Sequence, residues 1–63
     1  MKGQIVKEFR ARQGLSLRAL ADQTGVSFSM LGHIERGRRS ITYRTARKLA
    51  TVMRISWKRL CEE

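Results

Sequence analysis

Apolar residues recur along the chain at helical spacing, in five short runs. Ile5, Val6 and Phe9 share one face of the first, and Leu17, Leu20 and Ala21 share one face of the second. Val26, Leu31 and Ile34 repeat the pattern, then Tyr43, Ala46, Leu49, Ala50 and Met53, and finally Trp57 and Leu60. The spacing predicts helices over residues 1–13, 17–24, 28–36, 43–53 and 57–61. The fold class is therefore all-α, with five helices in one domain spanning residues 1–63. Boundary chemistry agrees. Ser16, Ser27, Thr42 and Ser56 each stand just before a run, where a hydroxyl can cap the helix start. Gly14 ends the first helix and lets Leu15 drop into the core. Gly25 and Gly37 can take the left-handed conformation that ends the second and third. Two apolar stripes meeting across one glycine-containing turn, SLRALADQTGVSFSMLGHIERGR, are the sequence form of a helix-turn-helix.

Composition narrows the function. With 63 residues there is room for one domain, marginal alone unless it is well idealised, stapled or oligomeric. The single cysteine, Cys61, excludes an internal disulfide. His33 and Cys61 offer at most two metal ligands, so no metal or other cofactor is expected. No nucleophile–base constellation can be assembled, which argues against an enzyme. No apolar run approaches the roughly 20 residues of a membrane span. Lys7, Glu8 and Arg10 interrupt the early apolar positions, so no secretory signal is expected and the cytoplasm is the expected compartment. The net charge of +9 favours a polyanionic partner. It is uneven, since residues 36–63 hold 9 of the 14 Lys and Arg but only 2 of the 5 acids. The tract Arg36-Gly37-Arg38-Arg39 directly follows the third helix.

From Gly14 to Gly37 the chain reads G-L-S-L-x-x-L-A-x-x-T-G-V-S-x-S-x-L-x-x-I-E-R-G. This motif resembles the Cro/C1-type (Xre family) helix-turn-helix domain of phage and bacterial regulators, a lambda-repressor-like fold. The resemblance continues through residues 41–60 and covers nearly the whole chain. It implies sequence-specific binding of a double-stranded DNA operator, usually as a homodimer and usually for repression, with the third helix in the major groove.

The family positions nearest the bases are those of Ser27, Phe28, Ser29, Gly32 and His33. Ser27 and Ser29 are short donors or acceptors for a base or a phosphate, and Ser27 also caps the helix. Phe28 either touches a thymine methyl or tucks against Leu17. Gly32 either lets the helix approach the groove closely or leaves a base pair unread. His33 can donate to guanine O6 or N7. Phosphate contacts are implied for Arg36, Arg38 and Arg39, and for Arg44, a cation in a first turn where the helix dipole opposes it. Relatives often place a polar side chain at the position of Leu17 to hold a phosphate. Leu17 cannot, which leaves the helix start at Ser16 and its amides. Arg10 and Glu35 occupy positions where relatives carry an ion pair locking the first helix to the third, with Arg10 also close to a phosphate.

Three departures stand out. Arg54 replaces a usual glycine after the fourth helix, so the cap is expected to be strained or differently shaped. Ile41 stands where proline is frequent. Lys58 and Arg59 replace commonly acidic residues. A dimer would use Ile41, Ile55 or Trp57, or form only on DNA. The competing reading is an antitoxin or accessory regulator whose main target is another protein, without membrane or small-molecule partners.

Overall fold

The computed structural model describes residues 2–62. Among these, four α-helices form: α1 Gly3–Gln13, α2 Leu17–Thr24, α3 Phe28–Glu35 and α4 Tyr43–Met53. No strand interrupts them, so the all-α class holds. The predicted fifth helix is a single 3₁₀ turn, Trp57–Arg59. Its backbone is diverted: Glu62 N–H donates to the Ile41 carbonyl at 2.9 Å, and Glu62 Oε1 accepts from Ile41 N–H at 2.9 Å. That clasp ties the chain to the loop before α4 and stops the helix. The expected start at Met1 lies outside the described residues. At its other boundary the third helix stops one residue early, with Arg36 as the cap.

The caps follow local chemistry. Oxygen atoms of Ser16, Ser27 and Thr42 accept from the N–H of Ala19, Met30 and Thr45 at 3.0, 3.1 and 3.4 Å. Each such cap stabilises by about 1 kcal/mol. The C-terminal end of α3 closes as a Schellman turn around Gly37, whose φ is 75°. Gly37 N–H reaches the Ile34 carbonyl at 3.0 Å and Arg38 N–H reaches the His33 carbonyl at 2.9 Å. Arg54 ends α4 in the same left-handed region, with φ 58°, and no other described non-glycine residue has positive φ. None of the four helices carries an acidic residue in its first turn.

The inward faces meet in one core. Val6 comes from α1, Leu20 from α2, Leu31 and Ile34 from α3, Ala46 and Leu49 from α4, and Leu60 from the C-terminal segment. α2 packs on α3 and α4, α1 packs on α3, and the 3₁₀ turn packs on α4. Three apolar residues depart from expectation. Ile41 is 0% exposed, so it belongs to the core and has no surface to offer a second copy. Tyr43, at the edge of the α4 stripe, is 50% exposed. Trp57 is only half-buried, its ring packed edge-on against Tyr43 with centroids 4.8 Å apart.

Gly3 marks a close approach of α1 to α3. It is buried, and a β-carbon there would collide with the carbonyl oxygen of Ile34 in α3. Gly3→Ala should therefore destabilise the fold by about 1–3 kcal/mol, the usual cost of overpacking, read as a lower melting temperature by circular dichroism. Arg54→Gly should act oppositely. It relieves a left-handed L-residue that costs roughly 1–2 kcal/mol, less the entropy glycine loses on folding. The net gain should raise the melting temperature by a few degrees.

Candidate nucleic-acid interface

The turn between α2 and α3 is built by Thr24, Gly25, Val26 and Ser27. Thr24 is the one buried polar residue among those described. Its hydroxyl donates to the Leu20 carbonyl at 2.8 Å and accepts from Val26 N–H at 3.2 Å. Gly25, at φ 76°, supplies the left-handed step. Val26 then enters the core, and α3 sets off with Leu31 and Ile34 facing inward. Its other face is left exposed at Ser27, Phe28 and Ser29.

That outer face carries Ser27, Phe28 and Ser29, all exposed, and His33, which is half-buried. Ser27 Oγ accepts one backbone N–H and keeps its own O–H to donate. The same is true of Ser16 at the start of α2. Phe28 is 45% exposed, and the Arg18 guanidinium lies over its ring, 5.0 Å from the centroid. This fixes an additional cation beside the turn. Arg18 escaped the sequence reading because its stacking partner belongs to another helix. Its position in the first turn of α2, two residues after the Ser16 cap, was the only available signal. Gly32 is buried, and the guanidinium of Arg36 lies across it. Arg38 and Arg39 follow the Schellman turn and are exposed, as is Arg44 in the first turn of α4.

Arg10 and Glu35 form the expected pair. Arg10 Nε donates to Glu35 Oε2 at 2.8 Å and Nη2 donates to Oε1 at 3.0 Å. Nη1 donates to the Leu15 carbonyl at 3.0 Å, so one guanidinium joins α1, the α1–α2 loop and α3. The hydrogen bond that Arg10 donates to Glu35 holds the Arg10 pKa above its ordinary value against desolvation. The pair is largely shielded, with side-chain exposures of 23% and 7%. Its charge is spent inside the protein, whereas the charges of Arg36, Arg38, Arg39 and Arg44 are not paired with any described carboxylate.

A second cluster sits on α4 and the 3₁₀ turn. Arg47 donates to Tyr43 Oη at 2.8 Å, and Lys58 stands 6.0 Å from the Trp57 ring centroid. Ile55 is half-buried beside the core. Among the described residues no group of acids, His and Cys could hold a metal, and no helix is long and apolar enough to cross a membrane.

A short helix held by a threonine-glycine turn against its predecessor, with its polar face outward, defines a helix-turn-helix domain. Residues 6–60 match the model of the HTH_3 helix-turn-helix family, and the chain belongs to that family. It is 46% identical over 50 residues to the HTH-type transcriptional regulator SutR of Escherichia coli, covering 79% of this chain and 28% of SutR. The chain thus spans little more than a quarter of that relative. The master regulator for biofilm formation SinR, solved in complex with DNA, superposes with a TM-score of 0.85 at 34% identity, over 95% of this chain and 97% of that one. A SinR–SinI complex gives the same TM-score and identity, over 100% and 62%. The restriction-modification controller protein C.AhdI from Aeromonas hydrophila superposes at 0.82 with 37% identity, over 94% and 89%.

Arg10→Ala would strand the shielded Glu35 carboxylate. The expected loss is about 3 kcal/mol, the lower end for breaking a buried pair. Arg10→Lys should not restore it, because an ammonium cannot reproduce the two-pronged contact. Chemical denaturation of both variants provides the measurement.

Proposed function

We propose that this chain binds double-stranded DNA and regulates transcription, with α3 lying in the major groove. One observation carries the reading. The outer face of α3 presents exposed Ser27, Phe28 and Ser29 and is followed by exposed Arg36, Arg38 and Arg39. Short polar groups flanked by free cations suit base edges flanked by phosphates. That SinR, 34% identical to this chain, is solved in complex with DNA supports DNA as the partner. In this reading Ser27, Ser29 and His33 hydrogen-bond to bases or nearby phosphates, and Phe28 lies against a thymine methyl. Arg38, Arg39 and Arg44 hold phosphates, as do the Ser16 hydroxyl and the amides behind it. Arg10 serves chiefly to position α3.

The regulator acts in the cytoplasm as a repressor, dimeric on a palindromic operator. One copy offers a single α3, which cannot fill two half-sites about 34 Å apart. Two copies can. Ile55 and Trp57 supply the contact between them, and the surrounding cations favour pairing on DNA, where phosphates offset the repulsion. A second reading is a protein target, favoured by the SinR–SinI complex and by the edge-on pair of exposed Tyr43 and half-buried Trp57. A partner that co-purifies after nuclease treatment, with no preferred DNA, would select it.

Selection of bound duplexes from a random pool should return a two-fold symmetric site with half-sites one helical turn apart. A pool that enriches nothing overturns the proposal. Arg38→Ala or Arg39→Ala should weaken binding to all sequences alike and lower the slope of log affinity against log salt by about 0.9 per lost contact.

A further inference from the structure

Arg36 follows the last turn of α3, a position that suggests a phosphate contact beyond the helix end. Its side chain runs the other way. A β-carbon built on Gly32 would lie 3.2 Å from Nη2, 3.5 Å from Nη1 and 3.7 Å from Cζ of Arg36. Helical side chains lean toward the N-terminus, so a residue at i+4 covers position i. Here the guanidinium occupies the space that any side chain at residue 32 would take. Ser29, Gly32 and Arg36 are three and four residues apart, so they share one helical row, with His33 adjoining it. The guanidinium is thus carried back to the middle of the face that enters the groove.

The group is available. Glu35, its neighbour in sequence, has both carboxylate oxygens engaged by Arg10. Among the described residues the structure records no ion pair for Arg36, and no ring stacks on it. We propose that Arg36 reads a guanine in each half-site, its planar fork donating to O6 and N7, and that Gly32 is the positioning residue that leaves room for it. The inference rests on α3 docking in the major groove. It moves Arg36 from the set of residues that grip strands to the set that choose sequence.

The test combines random-pool selection with binding titrations, on wild type, Arg36→Ala, Arg36→Lys and Gly32→Ala. Wild type should select a guanine at one position of each half-site and lose about tenfold in affinity or more when that base pair is changed to A·T. Arg36→Ala should keep the rest of the selected site but bind both versions alike. Arg36→Lys keeps the charge and should keep the salt slope while losing most of the discrimination. Gly32→Ala adds only a methyl facing a flexible side-chain tip, and alanine favours a helix, so its melting temperature should not fall. It should nonetheless weaken the guanine preference. If Arg36→Ala instead weakens every duplex equally with the selected site unchanged, and Arg36→Lys restores affinity, Arg36 is a backbone contact and the inference is overturned. Unaltered guanine preference in Gly32→Ala would overturn the role given to Gly32. If wild type itself selects nothing, the DNA-binding proposal fails instead, so the two failures are distinguishable.

Discussion

The placement of α3 depends on the Arg10–Glu35 pair more than on any other single contact. An eight-residue helix is too short to persist alone in water. It is also not packed on all sides, since Ser27, Phe28 and Ser29 lie exposed on its outer face. Stability has to come from the inner face and the two ends. Leu31 and Ile34 supply the inner face, the Ser27 cap supplies one end, and the Schellman turn at Gly37 supplies the other. The ion pair adds direction. By gripping Glu35 with two nitrogens and the Leu15 carbonyl with a third, Arg10 fixes the rotation of α3 about its axis relative to α1. Gly3 against Ile34 fixes the separation of the same two helices. Rotation and separation together decide which side chains look outward.

The molecule sorts its cations into two groups. Arg10 is bound to a carboxylate, while Arg18, Arg47 and Lys58 lie over the rings of Phe28, Tyr43 and Trp57. Stacking keeps their charge but restricts their reach. Arg38, Arg39 and Arg44 have no such partner among the described residues. A net charge of +9 is therefore not a uniform coat.

Most of the fold was legible in the sequence because its determinants are local. Ser16, Ser27 and Thr42 cap the helices they precede, and Gly25 turns where the apolar period breaks. What depended on distant partners was not legible. Nothing near Gly3 announces that a carbonyl thirty residues away will press on it. Tyr43 fits the α4 period yet lies at the stripe's edge, where a polar ring tip can stay wet. Ile41 looked available because its burial depends on the clasp with Glu62. In the site, the outward set on α3 came from the family positions that the motif implies; Ser27, Phe28 and Ser29 are exposed, whereas Gly32 is buried. The backward course of Arg36 did not come from them, since a rotamer is chosen by the space its neighbours leave.

The missing acids in the first turns have a consequence for thermodynamics. A carboxylate in the first turn stabilises a helix by meeting the partial positive charge at its start, whereas these four rely on hydroxyls, backbone or solvent. Any polyanion that docks there completes the fold's electrostatics as it binds. Melting behaviour is consequently linked to ligand concentration, and heat resistance becomes a running gauge of occupancy.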